Sequence, residues 1–122
     1  MSKSKTQNNA PFAAVDPESC HSIQEIRDGV DEIDLALLKL LARRQAYAAR
    51  FVKIKKDAGL PRAPDEKRIA QQIERAKTLG LEMGVSPIIV EPLFRTMIAQ
   101  HVEFELFEYA QLGEMSGSKS QK

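Results

Sequence analysis

A single cysteine, Cys20, among 122 residues excludes an intrachain disulfide. Histidine is nearly as scarce. His21 and His101 have no Cys or His neighbours at ligand spacing, so no metal centre and no cofactor is expected. Neither sign of charge dominates: 18 basic against 17 acidic side chains leave +1, which offers no electrostatic footprint for nucleic acid or an anionic membrane. Long apolar runs are missing too. The opening MSKSKTQNNAPFAAVDPES lacks the apolar stretch of a secretory signal, and nothing approaches the ~18 residues of a membrane span, so a cytoplasmic protein is expected. Strict apolar/polar alternation, the mark of a half-buried strand, is absent throughout. What remains is one small domain, 43% hydrophobic, built from helices.

Residues 1–18 are polar, with Pro11 and Pro17 and no periodicity, and residues 113–122 (GEMSGSKSQK) are similar; both are expected to be disordered tails around a folded part, 19–112. Ser22-Ile23-Gln24-Glu25 is a capping box, with more acid at Asp28, and Lys53, Lys55 and Lys56 precede Gly59 and Pro61. These signals bracket one helix over 23–57. At 1.5 Å per residue it is roughly 50 Å long, against an average of about 11–12 residues for globular helices. A lone small domain cannot cover it. A second helix is expected to start near Asp65, carry Ile69, Ile73, Ala76 and Leu79, and stop at Gly80. A third begins at Ser86-Pro87 and runs to about Leu112, with Val90, Phe94, Met97, Ile98, Val102, Leu106 and Tyr109 on its apolar side. The fold class is all-α: long, short, long.

Charge interrupts the apolar lines. In the first helix Ile26, Val30, Ile33, Leu37, Leu40, Arg44, Tyr47, Phe51 and Ile54 follow heptad spacing, with a guanidinium inside the seam. A charge there persists only where an anion or hydrogen bonds meet it. Eleven residues on, Lys55 returns to within about 20° of the same face. In the third helix the stripe continues into His101 and then Glu105. Arg27 and Arg68 add cations, the latter in a helix's first turn, where anions are favoured. Each has a plain structural reading: Arg44 snorkels or pairs with Glu105, Lys55 complements a helix dipole, His101 packs in a core, and Cys20 is incidental. Their recurrence on helices that must face one another points instead to a small anionic ligand.

The run Ile26-Arg27-Asp28-Gly29-Val30-Asp31-Glu32-Ile33-Asp34, through Leu37-Leu38-Lys39-Leu40-Leu41-Ala42-Arg43-Arg44, to Lys53-Ile54-Lys55 closely resembles the opening helix of the all-helical chorismate mutases. The likeness continues past Pro64 to Leu93-Phe94-Arg95-Thr96-Met97-Ile98 and covers most of 23–109. It implies an intertwined homodimer with two equivalent pockets, each lined by both chains, and a dicarboxylate substrate, chorismate or isochorismate. By position, Arg27 of the partner chain reaches one carboxylate, Arg44 holds a carboxylate within its own chain, and Lys55 touches a carboxylate and the breaking ether oxygen. Arg68, with Asp65 near it, matches the family's second-helix Arg if one residue is inserted around Pro61-Arg62-Ala63. Glu105 falls where the family hydrogen-bonds the ether oxygen, and His101 where a small polar residue lines the pocket.

Rearranging chorismate to prephenate is intramolecular, so the protein need supply no nucleophile, base or metal. It holds the reactive conformer and stabilises separating charge. Glu105 donates a hydrogen bond only when protonated; burial favours that form and nearby Lys55 and Arg44 oppose it. One departure is Ile69, which follows Arg68 where many mutases carry a Glu for the substrate hydroxyl. An apolar residue there, like Ile89-Val90-Glu91-Pro92-Leu93-Phe94, resembles the isochorismate pyruvate-lyases of the same fold, which give salicylate and pyruvate. A non-catalytic helical dimerisation module is the alternative of another class.

Overall fold

The computed structural model describes residues 15–61 and 63–120. After a 3-10 turn at Pro17–Ser19 come three α-helices: α1 (Ile23–Asp57), α2 (Glu66–Glu82) and α3 (Pro87–Ser120). The described residues contain no strand, and none of their helices is long and apolar enough to cross a membrane. Of the two expected tails, residues 1–14, 121 and 122 lie outside the described residues. The chain forms two compact units, dividing between Ala46 and Tyr47.

In the first unit the start of α1 is set locally. The Glu25 amide donates to Ser22 Oγ at 3.1 Å, and Glu25 Oε1 accepts from the His21 amide at 2.7 Å. The box thus closes on the amide before the cap residue: the Glu25 amide, one of the N–H groups that the helix leaves without partners, is satisfied by Ser22, and the Glu25 carboxylate ties in the incoming chain at His21. Beyond the cap, the large apolar side chains find little cover: Ile26, Val30, Leu37 and Leu40 of the seam are exposed, along with Ile23, Leu35, Leu38 and Leu41. Ile33 alone of the seam's aliphatic residues here is half-buried.

The second unit holds the end of α1, α2 and α3. Its buried residues are Ala48, Val52, Ile73, Gly80, Val90 and Ile98. The heptad seam of the sequence is displaced here, since Tyr47, Phe51 and Ile54 are exposed while Ala48 and Val52, one position on, are buried. The face that finds cover within the chain is the one with small side chains. Helix α1 closes in a Schellman turn: Gly59 takes φ 71°, its amide donates to Lys56 O at 3.1 Å, and the Leu60 amide donates to Lys55 O at 2.9 Å.

Asp65 caps α2 by accepting from the Arg68 amide at 3.0 Å. Gly80 does not end this helix. The stop is Gly84 at φ 85°, with Val85 N–H on Gly80 O and Gly84 N–H on Leu81 O. Gly80 instead permits close approach: a Cβ there would stand 2.8 Å from Val90 Cγ2 of α3. Ser86 Oγ accepts from the Ile88 amide at 3.2 Å and Pro87 opens α3, as its fixed φ favours. The helix then runs eight residues past Leu112, because Gly113 does not adopt the left-handed φ that terminates helices. The expected disordered tail from 113 is therefore helical through Ser120.

Candidate functional site

The first unit carries Arg27, exposed in the second turn of α1, and Arg44, half-buried four residues before Ala48. Arg27, Arg44 and Arg68 enter no ion pair among the described residues. Cys20 is a free thiol 3.9 Å from the carbonyl of Asp16, and nothing about it suggests chemistry.

Lys55, Arg68, His101 and Glu105 all belong to the second unit. Ala48, Val52 and Lys55, at steps of four and three, share one side of α1. That side is the buried one, and Lys55 is half-buried, with Nζ 5.1 Å from the centre of the Phe51 ring. Arg68 is exposed; its amide is taken by Asp65, so part of the helix terminus expected to attract an anion is already satisfied. On α3 the line Val90, Ile98, His101, Glu105 runs from buried to half-buried. Glu105 thus shares the apolar side of α3, as its spacing requires.

No charged side chain among the described residues is fully buried: Arg44, Lys55 and Glu105 are half-buried, Arg27 and Arg68 exposed. Arg62, around which the register of Arg68 was aligned, lies outside the described residues.

Two groupings were not foreseen. Lys56 Nζ stands 4.3 Å from the centre of the Tyr109 ring, and the Tyr109 hydroxyl donates to Leu60 O at 2.8 Å. Tyr109 was visible only as a member of an apolar stripe; nothing local marks a partner 49 residues away. Between α2 and α3, Glu91 is gripped by Arg95 at 2.7 and 3.0 Å and faced by Lys77 at 3.7 Å. Hydrogen bonding to Arg95, then the Lys77 charge, holds the Glu91 carboxyl below its ordinary value. Among the described residues no group of three or more His, Cys, Asp or Glu could hold a metal ion.

A family model described as chorismate mutase type II matches residues 26–106. The chain is 31% identical over 87 residues to an isochorismate pyruvate lyase of Pseudomonas aeruginosa, spanning 70% of this chain and 83% of that protein. It is 32% identical over 75 residues to a T-protein of Enterobacter agglomerans, spanning 62% of this chain and 20% of that longer protein.

Proposed function

We propose, from the premise that the chain belongs to the chorismate mutase type II family, that it rearranges chorismate to prephenate in a pocket shared between two copies. The observation that carries the reading is the placement of charge. All five candidate residues, Arg27, Arg44, Lys55, Arg68 and Glu105, fall inside the matched span, and Arg44, Lys55 and Glu105 are half-buried. In the proposed complex Arg44 and the partner's Arg27 bind the two carboxylates of the substrate. Guanidinium forks suit carboxylates, and the ligand supplies anions to arginines that enter no ion pair among the described residues. Lys55 meets a carboxylate and the ether oxygen, Glu105 donates to that oxygen as the bond stretches, and Arg68 adds positive potential. No covalent or redox chemistry is asked of the protein; pre-set charges lower the barrier because they need not reorganise during the reaction.

A homodimer fits the exposed apolar side of α1, where eight large aliphatic side chains between Ile23 and Leu41 are open to solvent. A second copy laid along it encloses Arg44. Light scattering of the purified protein checks the stoichiometry.

A second reading has specific support. Ile69 follows Arg68, leaving no carboxylate there for a substrate hydroxyl, and one relative spanned over most of its length is named an isochorismate pyruvate lyase. The same pocket would then hold isochorismate and expel pyruvate. Incubation of the protein with chorismate and with isochorismate separately, following prephenate and salicylate, decides between the two. Prephenate from chorismate is the expected product. Salicylate and pyruvate from isochorismate, without prephenate from chorismate, reassign the chain as a lyase, and activity on neither leaves a dimerisation module.

A further inference from the structure

Lys55 is the last residue but two of α1, and the turn that follows it is tied back to it. The Leu60 amide donates to the Lys55 carbonyl at 2.9 Å, and the Gly59 amide to the Lys56 carbonyl at 3.1 Å. Helix α3 reaches this turn through Tyr109. The Tyr109 hydroxyl donates to the Leu60 carbonyl at 2.8 Å, so a single residue, Leu60, links Tyr109 to the bond on the Lys55 carbonyl. The same ring carries the ammonium of Lys56 at 4.3 Å. Gly113, one turn beyond Tyr109, leaves that ammonium its space, since a Cβ there would stand 3.0 Å from Nζ. One turn before Tyr109, on the same side of α3, is Glu105.

We propose that Tyr109, with Lys56 on its ring, is a positioning residue that sets the end of α1 against α3 and thereby fixes Lys55 relative to Glu105. The inference rests on the reading above that these two residues meet the substrate. Tyr109 touches no reacting atom. Its hydroxyl holds the capping turn closed, and its ring, through Lys56, resists sliding of α1 along α3. Two unlike contacts at adjacent points define an orientation that either alone leaves free.

The test uses the full chain and two conservative variants. Tyr109→Phe removes only the hydroxyl; Lys56→Met removes the charge and keeps an unbranched stem. Hydrogen exchange at the Gly59 and Leu60 amides is expected to quicken about two- to tenfold in Tyr109→Phe, the scale of one neutral hydrogen bond, while amides of the α2–α3 pair keep their protection. With the substrate that the wild type converts, kcat falls about tenfold in either variant, because small misplacements of a donor cost rate steeply, and KM changes less than kcat. Unchanged exchange at Leu60 in Tyr109→Phe overturns the latch. Faster exchange with full kcat overturns the positioning role. A wild-type protein inert toward both chorismate and isochorismate removes the reading beneath the proposal, and that result is distinct from an active wild type whose variants lose nothing.

Discussion

Replacing Gly80 by alanine asks whether a helix-favouring change is reversed by one contact. Alanine gains about 0.8–1.0 kcal/mol over glycine inside a helix. Here its Cβ would stand 2.8 Å from Val90 Cγ2, 3.4 Å from Cγ1 and 3.6 Å from Cβ. The valine has no easy escape: it is 6% exposed, and β-branched side chains in helices hold essentially one χ1 rotamer. Overpacking of this kind costs about 1–3 kcal/mol, so the net effect is a loss of about 1 kcal/mol, read as a melting point lower by about 4–8 °C. Urea unfolding at fixed protein concentration supplies the free energy. The Gly80→Ala/Val90→Ala pair makes the test specific, because truncating Val90 must cost less in the alanine-80 background, by about the size of the clash. A stabilised Gly80→Ala protein, or two losses that add to within about 0.5 kcal/mol, refutes the contact.

The Glu91 carboxyl is held below its ordinary value by Arg95 and Lys77, so its contribution to stability is present above the unfolded-chain value and drains away as pH falls through the lower folded one. Glu91→Gln should therefore lose less stability than the wild type when pH is lowered through about 4.3 and below, as seen in acid unfolding curves; parallel curves contradict the pairing. In the proposed mechanism Glu105 serves the ether oxygen only with its proton on, so turnover is expected to decline toward high pH. Glu105→Gln, a permanent donor, should flatten the pH–rate profile, and an unaltered profile removes Glu105 from the reaction.

The parts of the fold that local chemistry decides were legible in the sequence. Ser22, Asp65 and Ser86 each cap the helix they announce, and Gly59 closes α1 where basic residues give out. Gly80 and Gly84 look alike in the sequence; only the packing of Val90 and the left-handed φ of Gly84 tell a contact glycine from a stop. The third helix passes its expected end at Leu112 because Gly113 does not take a left-handed φ. The covered face of α1 was misjudged by one position because periodicity favours bulky Tyr47, Phe51 and Ile54, whereas the chain itself covers Ala48 and Val52. At the candidate site, residue type and spacing marked Arg44, Lys55 and Glu105 as charges on apolar lines; in the structure each is half-buried. Enclosure was not readable, since periodicity says which side needs cover and not whether the same chain provides it. The clasp of Tyr109 on Leu60 spans 49 residues, and no local rule reaches that far.

In the proposed function Arg44 is kept in an apolar seam to bind a substrate carboxylate. Steady-state turnover of Arg44→Leu, beside its unfolding free energy, tests this most directly. Leucine suits the seam, so the protein should remain folded and be as stable as the wild type or more so, while conversion of chorismate and of isochorismate disappears. An Arg44→Leu protein that turns over substrate at the wild-type rate would contradict the account.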